Sequence, residues 1–181
     1  MSTSKAPTIV HPDLLAARNL VTGLGLDSSA AIAEVDNADY GAVVSEVGSG
    51  TIRFRVAKRT PTKAGLFVSV WRRAADGSTE PFAVEDSVDL LVITVREGSR
   101  FGQFVFTPTA LAEHGIVSVE GTGGKRGFRL YPPWSVTESE HARKSQQWQS
   151  AHFLDLEDLD LMRAENLYDP VRLPRLSGDP L

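Results

Sequence analysis

The chain has 181 residues, no cysteine and a formal net charge of −4. That length bounds it to one good hydrophobic core and one domain over 1–181, and the missing cysteine excludes disulfides, thiolate metal centres and cysteine nucleophiles. The start, MSTSKAPTIV, has no apolar run of signal-peptide length, and no segment approaches the roughly 20 apolar residues of a membrane span, so a soluble, cytoplasmic protein is expected.

Residues 1–11 read as a loose lead-in. Pro12 then fits the first position of a helix through LLAARNLVT, with Asp13 in its first turn and Gly23 and Gly25 ending it. Asp27 or Ser28 caps a short second segment, SSAAIAEV. NADYGAVVSEVGSG reads as a further helix whose apolar face takes Tyr40, Val43, Val44 and Val47 and from which Glu46 projects. Two strand-like runs, 51–57 and 66–71, then flank a turn carrying Lys58, Arg59 and Lys63, with Arg53, Arg55, Arg72 and Arg73 on either side and no acidic residue between them. In a chain of negative total charge, this basic hairpin implies an anionic partner or a bound anion.

AADGSTEP reads as a turn-rich loop. VDLLVITVRE is so continuously apolar that it fits a central strand covered on both faces. In FGQFVF the side chains of Phe101, Gln103 and Val105 share one face and those of Phe104 and Phe106 the other, and a Gln among aromatics needs a partner. Pro108 opens a short helix, TALAEH, closed by Gly115, and IVSVE follows as a strand. The turn TGGKRG leads into FRLYPP. A last helix, SEHARKSQQWQSAHFL, is capped by Ser135 or Thr137 and gives way to an acidic tail, with 171–181 irregular. These elements make an α+β chain with a central, mostly antiparallel sheet flanked by helices.

Each charged or aromatic feature has a plain structural reading beside a functional one. The basic hairpin is either a phosphate-binding surface or an edge blunted by solvated cations. Lys125, Arg126 and Arg129 beside Gly123, Gly124 and Gly127 allow amides and cations to approach phosphate together, although the turn does not fit a Walker loop. Tyr131, Trp134 and Trp148 are base-stacking platforms or core anchors. Lys144 and Trp148 lie on one face of the last helix. Asp86 and Asp89 pair with a hairpin cation or hold a metal. The four histidines show no zinc-site spacing, and neither a Gly-x-Ser-x-Gly elbow nor a dinucleotide fingerprint is present. The acidic tail either covers the basic surface or balances charge.

The runs RVAKRTPTKAGLFVSVWRR, Pro81-Phe82 with Asp86 and Asp89, GQFVF, GKRGFRLYPPW and ARKSQQWQ resemble, in order, the motifs of the MepB family over residues 40–154. These bacterial proteins are named for a member encoded beside a multidrug efflux pump, which implies a small-molecule accessory role as one reading. The order of elements is also similar to the restriction-endonuclease-like, PD-(D/E)xK, fold. That resemblance, with core strands at 66–71, 88–96 and 102–106, implies a magnesium-dependent nuclease centred on Glu46, Asp89, Gln103 and Lys63, with Asp89 on the metal. The Glu-x-Lys of active members is replaced here by Gln103, Phe104 and Val105. Nucleic-acid binding, with DNA expected ahead of RNA, is the leading function, carried by Lys58, Arg59, Lys63, Lys125, Arg126, Arg129, Trp134 and Lys144.

Overall fold

The computed structural model describes residues 11–172; the expectations for 1–10 and 173–181 lie outside the described residues. Along the chain run α1 (Pro12–Gly23), β1 (Ile32–Ala33), a 3-10 turn (Ala38–Tyr40), β2 (Val43–Val47), β3 (Gly50–Val56), β4 (Lys58–Thr60), β5 (Lys63–Ser69), β6 (Trp71–Arg73), β7 (Thr79–Pro81), β8 (Leu90–Glu97), β9 (Arg100–Phe106), α2 (Pro108–Glu113), β10 (Gly127–Leu130), α3 (Glu140–Ser150), β11 (Phe153–Asp155), α4 (Leu161–Leu167) and α5 (Asp169–Arg172).

Helix α1 forms where expected. Pro12 needs no N–H donor at the first position, and Leu14, Ala17 and Val21 form its buried stripe. His11, the residue before the helix, caps it: its Nδ1 accepts from the Asp13 N–H at 3.1 Å. SSAAIAEV is not helical but runs extended into β1. The helix expected around Tyr40 is also corrected. Asn37 and Gly41 take positive φ, limit helical structure to one 3-10 turn, and leave 43–47 as a strand with Val43, Ser45 and Val47 buried and Glu46 exposed. Valines at 43, 44 and 47 satisfy a helical stripe on paper, but their branched Cβ atoms favour the pleated alternative.

Six strands form the main sheet in the order β1-β2-β3-β8-β9-β11, antiparallel except for β3 with β8. Strand β8 is central, as its apolar run requires, with Leu90 to Val95 all buried. Alternation divides its side chains between two layers. Leu90 and Val92 join Ile52, Phe54, Val105 and Leu154 under α1, α4 and α5, which contribute Leu14, Val21, Ala164, Tyr168 and Val171. Leu91, Ile93 and Val95 join Phe104, Phe106 and Phe153 on the opposite face, beneath Leu66, Val68, Phe128 and Leu130 and the Leu111 of α2.

The expected basic hairpin is split between sheets. Strand β3 lies inside the main sheet, whereas β5 pairs with β4 and β10 in a separate three-stranded sheet, and the hairpin is β4 with β5. The segments 66–71, 88–96 and 102–106 therefore do not share one sheet, and the meander assumed for a nuclease core is not formed. IVSVE is held by isolated bridges, Ala83 to Ser118 and Val119 to Thr122, rather than as a strand. Ser139, not Ser135 or Thr137, caps α3, accepting from the Ala142 N–H at 3.1 Å. The acidic segment folds as β11, α4 and α5, and residues 171 and 172 are helical. Gln103 finds its partner there: the Tyr168 hydroxyl donates to its Oε1.

Candidate functional site

Strand β10 is the edge of the small sheet, and α3 packs along it. Gln149, 1% exposed, joins the two: its Nε2 donates to the Arg129 carbonyl at 2.9 Å, and its Oε1 accepts from the Tyr131 N–H at 2.8 Å. The side-chain amide thus continues the sheet ladder at the residues whose backbone groups point away from β5. Strand alternation turns the N–H and C=O of Gly127 to the same outer edge.

Beside this junction lies an open groove of about 390 Å³ lined by His114, Ile116, Lys125, Gly127, Phe128, Arg129, Tyr131, His141, Lys144, Ser145, Trp148 and Gln149. No carboxylate lines it. His141, Lys144, Ser145 and Trp148 recur at the i, i+3, i+4, i+7 spacing that puts them on one face of α3. The His114 and Trp148 rings stack at 4.0 Å and 8° from parallel, and Trp148 rests on Phe106 at 5.4 Å. His152 closes the back of this cluster, 5.2 Å from Phe106, and its burial there lowers the pKa of its imidazole. Arg129 reaches over the tip of the β4–β5 hairpin, donating to Thr60 Oγ1 at 2.5 Å and the Ala64 carbonyl at 3.1 Å. Lys144 is paired with Glu140, at 2.7 Å, with both side chains more than 70% exposed.

Of the expected nucleic-acid residues, Lys125, Arg129 and Lys144 meet in this groove. The cross-strand row Lys58, Phe67, Arg129 extends it across the outer face of the small sheet, where Lys58 sits 4.8 Å from the Tyr40 ring centre. Lys63 is exposed at the start of β5. Arg59 points to the other face of β4, toward Glu97 at 3.5 Å. Two more residues are elsewhere. Arg126 is turned away and donates to the backbone and hydroxyl oxygens of Thr79 at 2.8 to 3.0 Å. Trp134 donates from Nε1 to Glu97 at 2.6 Å and packs edge-on against Phe153. The glycine turn is structural: a side chain on Gly124 would meet Pro81 and the Ser118 nitrogen within 3 Å, and the Lys125 N–H is taken by the Ile116 carbonyl.

His114 and His141 are the residues that sequence reasoning missed. The spacing of His141 with Lys144 and Trp148 was a legible signal, whereas His114 enters only because α2 ends beside α3. The acidic segment does not cover the groove, because α4 and α5 pack under the opposite face of the main sheet. Arg163 of α4 does meet the end of α3, donating to the Ser150 and Ala151 carbonyls.

The four residues of the nuclease reading do not converge. Glu46 and Asp89 flank Thr51, with Glu46 its partner across β2 and β3 and Asp89 Oδ2 accepting from the Thr51 N–H at 2.8 Å. Gln103 pairs with Thr94, five positions along from Asp89 and about 16 Å away at the rise of a strand. It is fully buried against Tyr168, and Lys63 lies in the other sheet. No cluster of three or more His, Asp or Glu side chains suited to a metal occurs among the described residues. Asp86 meets the plain expectation by pairing with Arg72.

Arg53 and Arg55 are committed to the fold as well. Glu34 binds Arg53 at 3.0 Å and the fully buried Arg55 at 2.5 Å, and the Arg53 guanidinium lies 3.7 Å over the Phe82 ring. Burial lowers the Arg55 pKa to about 10, with Glu34 acting in the opposite sense.

A family model for MepB-like proteins matches residues 34–155, a span that contains every residue lining the groove. Among solved structures, the chain is similar to the crystal structure of MepB, with 29% identity and a TM-score of 0.71 over 82% of this chain and 99% of that one. A bacterial homing endonuclease aligns at 12% identity and a TM-score of 0.43, over 74% of this chain and 82% of that one. No curated protein matches the chain. Among the described residues no helix is long and apolar enough to cross a membrane.

Proposed function

The chain belongs to the MepB-like family, and from that premise we propose that it binds nucleic acid, DNA ahead of RNA, through the groove between β10 and α3. One observation carries the reading: Lys125, Arg129 and Lys144 converge, with His114 and His141, on an open surface that no carboxylate lines. The whole chain is acidic, so this concentration of one sign is local, and a low-dielectric floor of Phe128 and Trp148 focuses its field outward. Phosphates are the fitting anions. Arg129 presents a guanidinium already oriented by Thr60 and Ala64, leaving the other N–H groups of its fork for phosphate oxygens. Lys125 and Lys144 supply point charges on the two walls.

The test is a fluorescence-anisotropy titration of labelled DNA, with matched RNA alongside, across a range of salt. Affinity should fall steeply as salt rises, and each of Lys125→Ala, Arg129→Ala and Lys144→Ala should reduce the salt slope by about one. Arg126→Ala is the control, because that side chain is tied to Thr79. Binding indifferent to salt, or an Arg126 variant as impaired as the groove variants, would overturn the proposal.

A further inference from the structure

We infer that the groove holds an unstacked nucleotide of a single strand, with its base on the outer face of the His114 ring. This rests on the nucleic-acid reading above and narrows it. His114 is exposed, yet its ring is fixed by lying parallel to Trp148 at 4.0 Å, and Trp148 is fixed in turn by Phe106. The result is a ready-made two-ring stack in the wall of the groove, with its outer ring, His114, exposed. A nucleobase laid on His114 continues that stack without ordering a mobile side chain, the usual entropic cost of such a contact.

The surroundings fit the rest of the nucleotide. Arg129 and Lys144 line the same groove as the stack and supply cations for a sugar-phosphate backbone, and the outward N–H and C=O of Gly127 and the Ser145 hydroxyl supply polar groups for a base edge. The volume, about 390 Å³, is at the small end for ligand sites and suits a nucleotide unit rather than the width of a duplex. In a duplex each base face is already covered by its neighbours, so the ring platform gains nothing from it. The other two aromatics do not compete: Trp134 is pinned to Glu97 and Phe153, and Tyr131 is 8% exposed. Because every base has a π face, the site is tolerant of sequence.

The experiment compares, on the full chain at low salt, a short labelled oligothymidylate, the same backbone with abasic residues, and a duplex of equal length. The thymidylate should bind at least about fivefold more tightly than the abasic strand and more tightly than the duplex. His114→Ala should abolish that advantage and His114→Phe restore it. Equal, salt-sensitive binding of thymidylate and abasic strands, or an advantage that survives His114→Ala, would overturn this inference and leave the groove reading standing. Absence of binding to all three would overturn both. Should His114→Ala fail to fold, His114→Gln replaces it, and equal binding of thymidylate and abasic strand by the unaltered chain overturns the inference without any variant.

Discussion

The Tyr168 hydroxyl donates to Oε1 of Gln103 across 65 positions of sequence, with both side chains fully buried. Burial raises the Tyr168 pKa, so the phenol keeps the proton it donates. Removing one partner strands the other in the core. Tyr168→Phe should therefore destabilise the fold by about 1–3 kcal/mol in urea unfolding, whereas Tyr168→Phe with Gln103→Leu should cost less than the sum of the single changes. Additive losses would show that the pair is not coupled.

Arg55 and Glu34 make an asymmetric pair. The guanidinium is wholly buried, and its Nε and second terminal nitrogen have no hydrogen-bond partner among the described residues. Glu34→Ala leaves this charge uncompensated and should cost about 3–5 kcal/mol, while Arg55→Met, which removes the charge and keeps the bulk, should be close to neutral. Thermal melts of the two variants separate these outcomes.

Glu140 holds Lys144 in an exposed ion pair four residues apart on α3. Such a pair adds little stability, but it competes with any phosphate for the lysine. Glu140→Gln should leave the melting temperature nearly unchanged and tighten nucleic-acid binding severalfold at low salt. Weaker binding would place Lys144 outside the interface.

Gln149 stitches α3 to the edge of β10 without facing solvent. Gln149→Leu strands the Arg129 carbonyl and the Tyr131 N–H, and should cost about 2 kcal/mol or more. It should also weaken nucleic-acid binding, because the walls of the groove lose their fixed spacing. A variant unaltered in both hydrogen exchange of β10 and affinity would contradict this role.

His152 packs against Phe106 and Trp148, and its burial lowers its pKa below the ordinary 6.5. Below 6.5 the unfolded chain takes up a proton that the native imidazole resists. The stability tied to the neutral ring is therefore fully present above pH 6.5 and declines as pH falls through the lowered native value. His152→Gln should flatten that part of the stability profile, measured as denaturant midpoint against pH; an unchanged slope would assign it to the carboxylates instead.

Local chemistry carried much of the fold. Pro12 and Pro108 announce helices because a missing N–H costs nothing at a first turn, and the unbroken run of β8 announces a strand covered on both sides. Local chemistry misleads where two periods fit the same residues, as at Val43, Val44 and Val47, or where a strand's partner lies far away, as for β3 and β5. The site divides in the same way. Lys125, Arg129, Lys144 and Trp148 were legible as residue types, and the side chains of Arg126 and Trp134 looked equivalent to them.

The sequence by itself determined the family motifs, the central strand, the two-faced order of 101–106 and the excess of positive charge between 51 and 73. Only the tertiary structure decided which cations are free to act. Arg53, Arg55 and Arg72 are consumed by Glu34, Glu80 and Asp86, while Lys125, Arg129 and Lys144 are gathered into one groove with His114. The physical reason is that a charge is consumed when it is locked in a buried or multiply bonded pair, and stays available when its pair is exposed and weak, as for Lys144 with Glu140. The neighbours of a charge across a sheet or between helices are set by strand pairing and packing over long separations, which spacing along the chain does not encode.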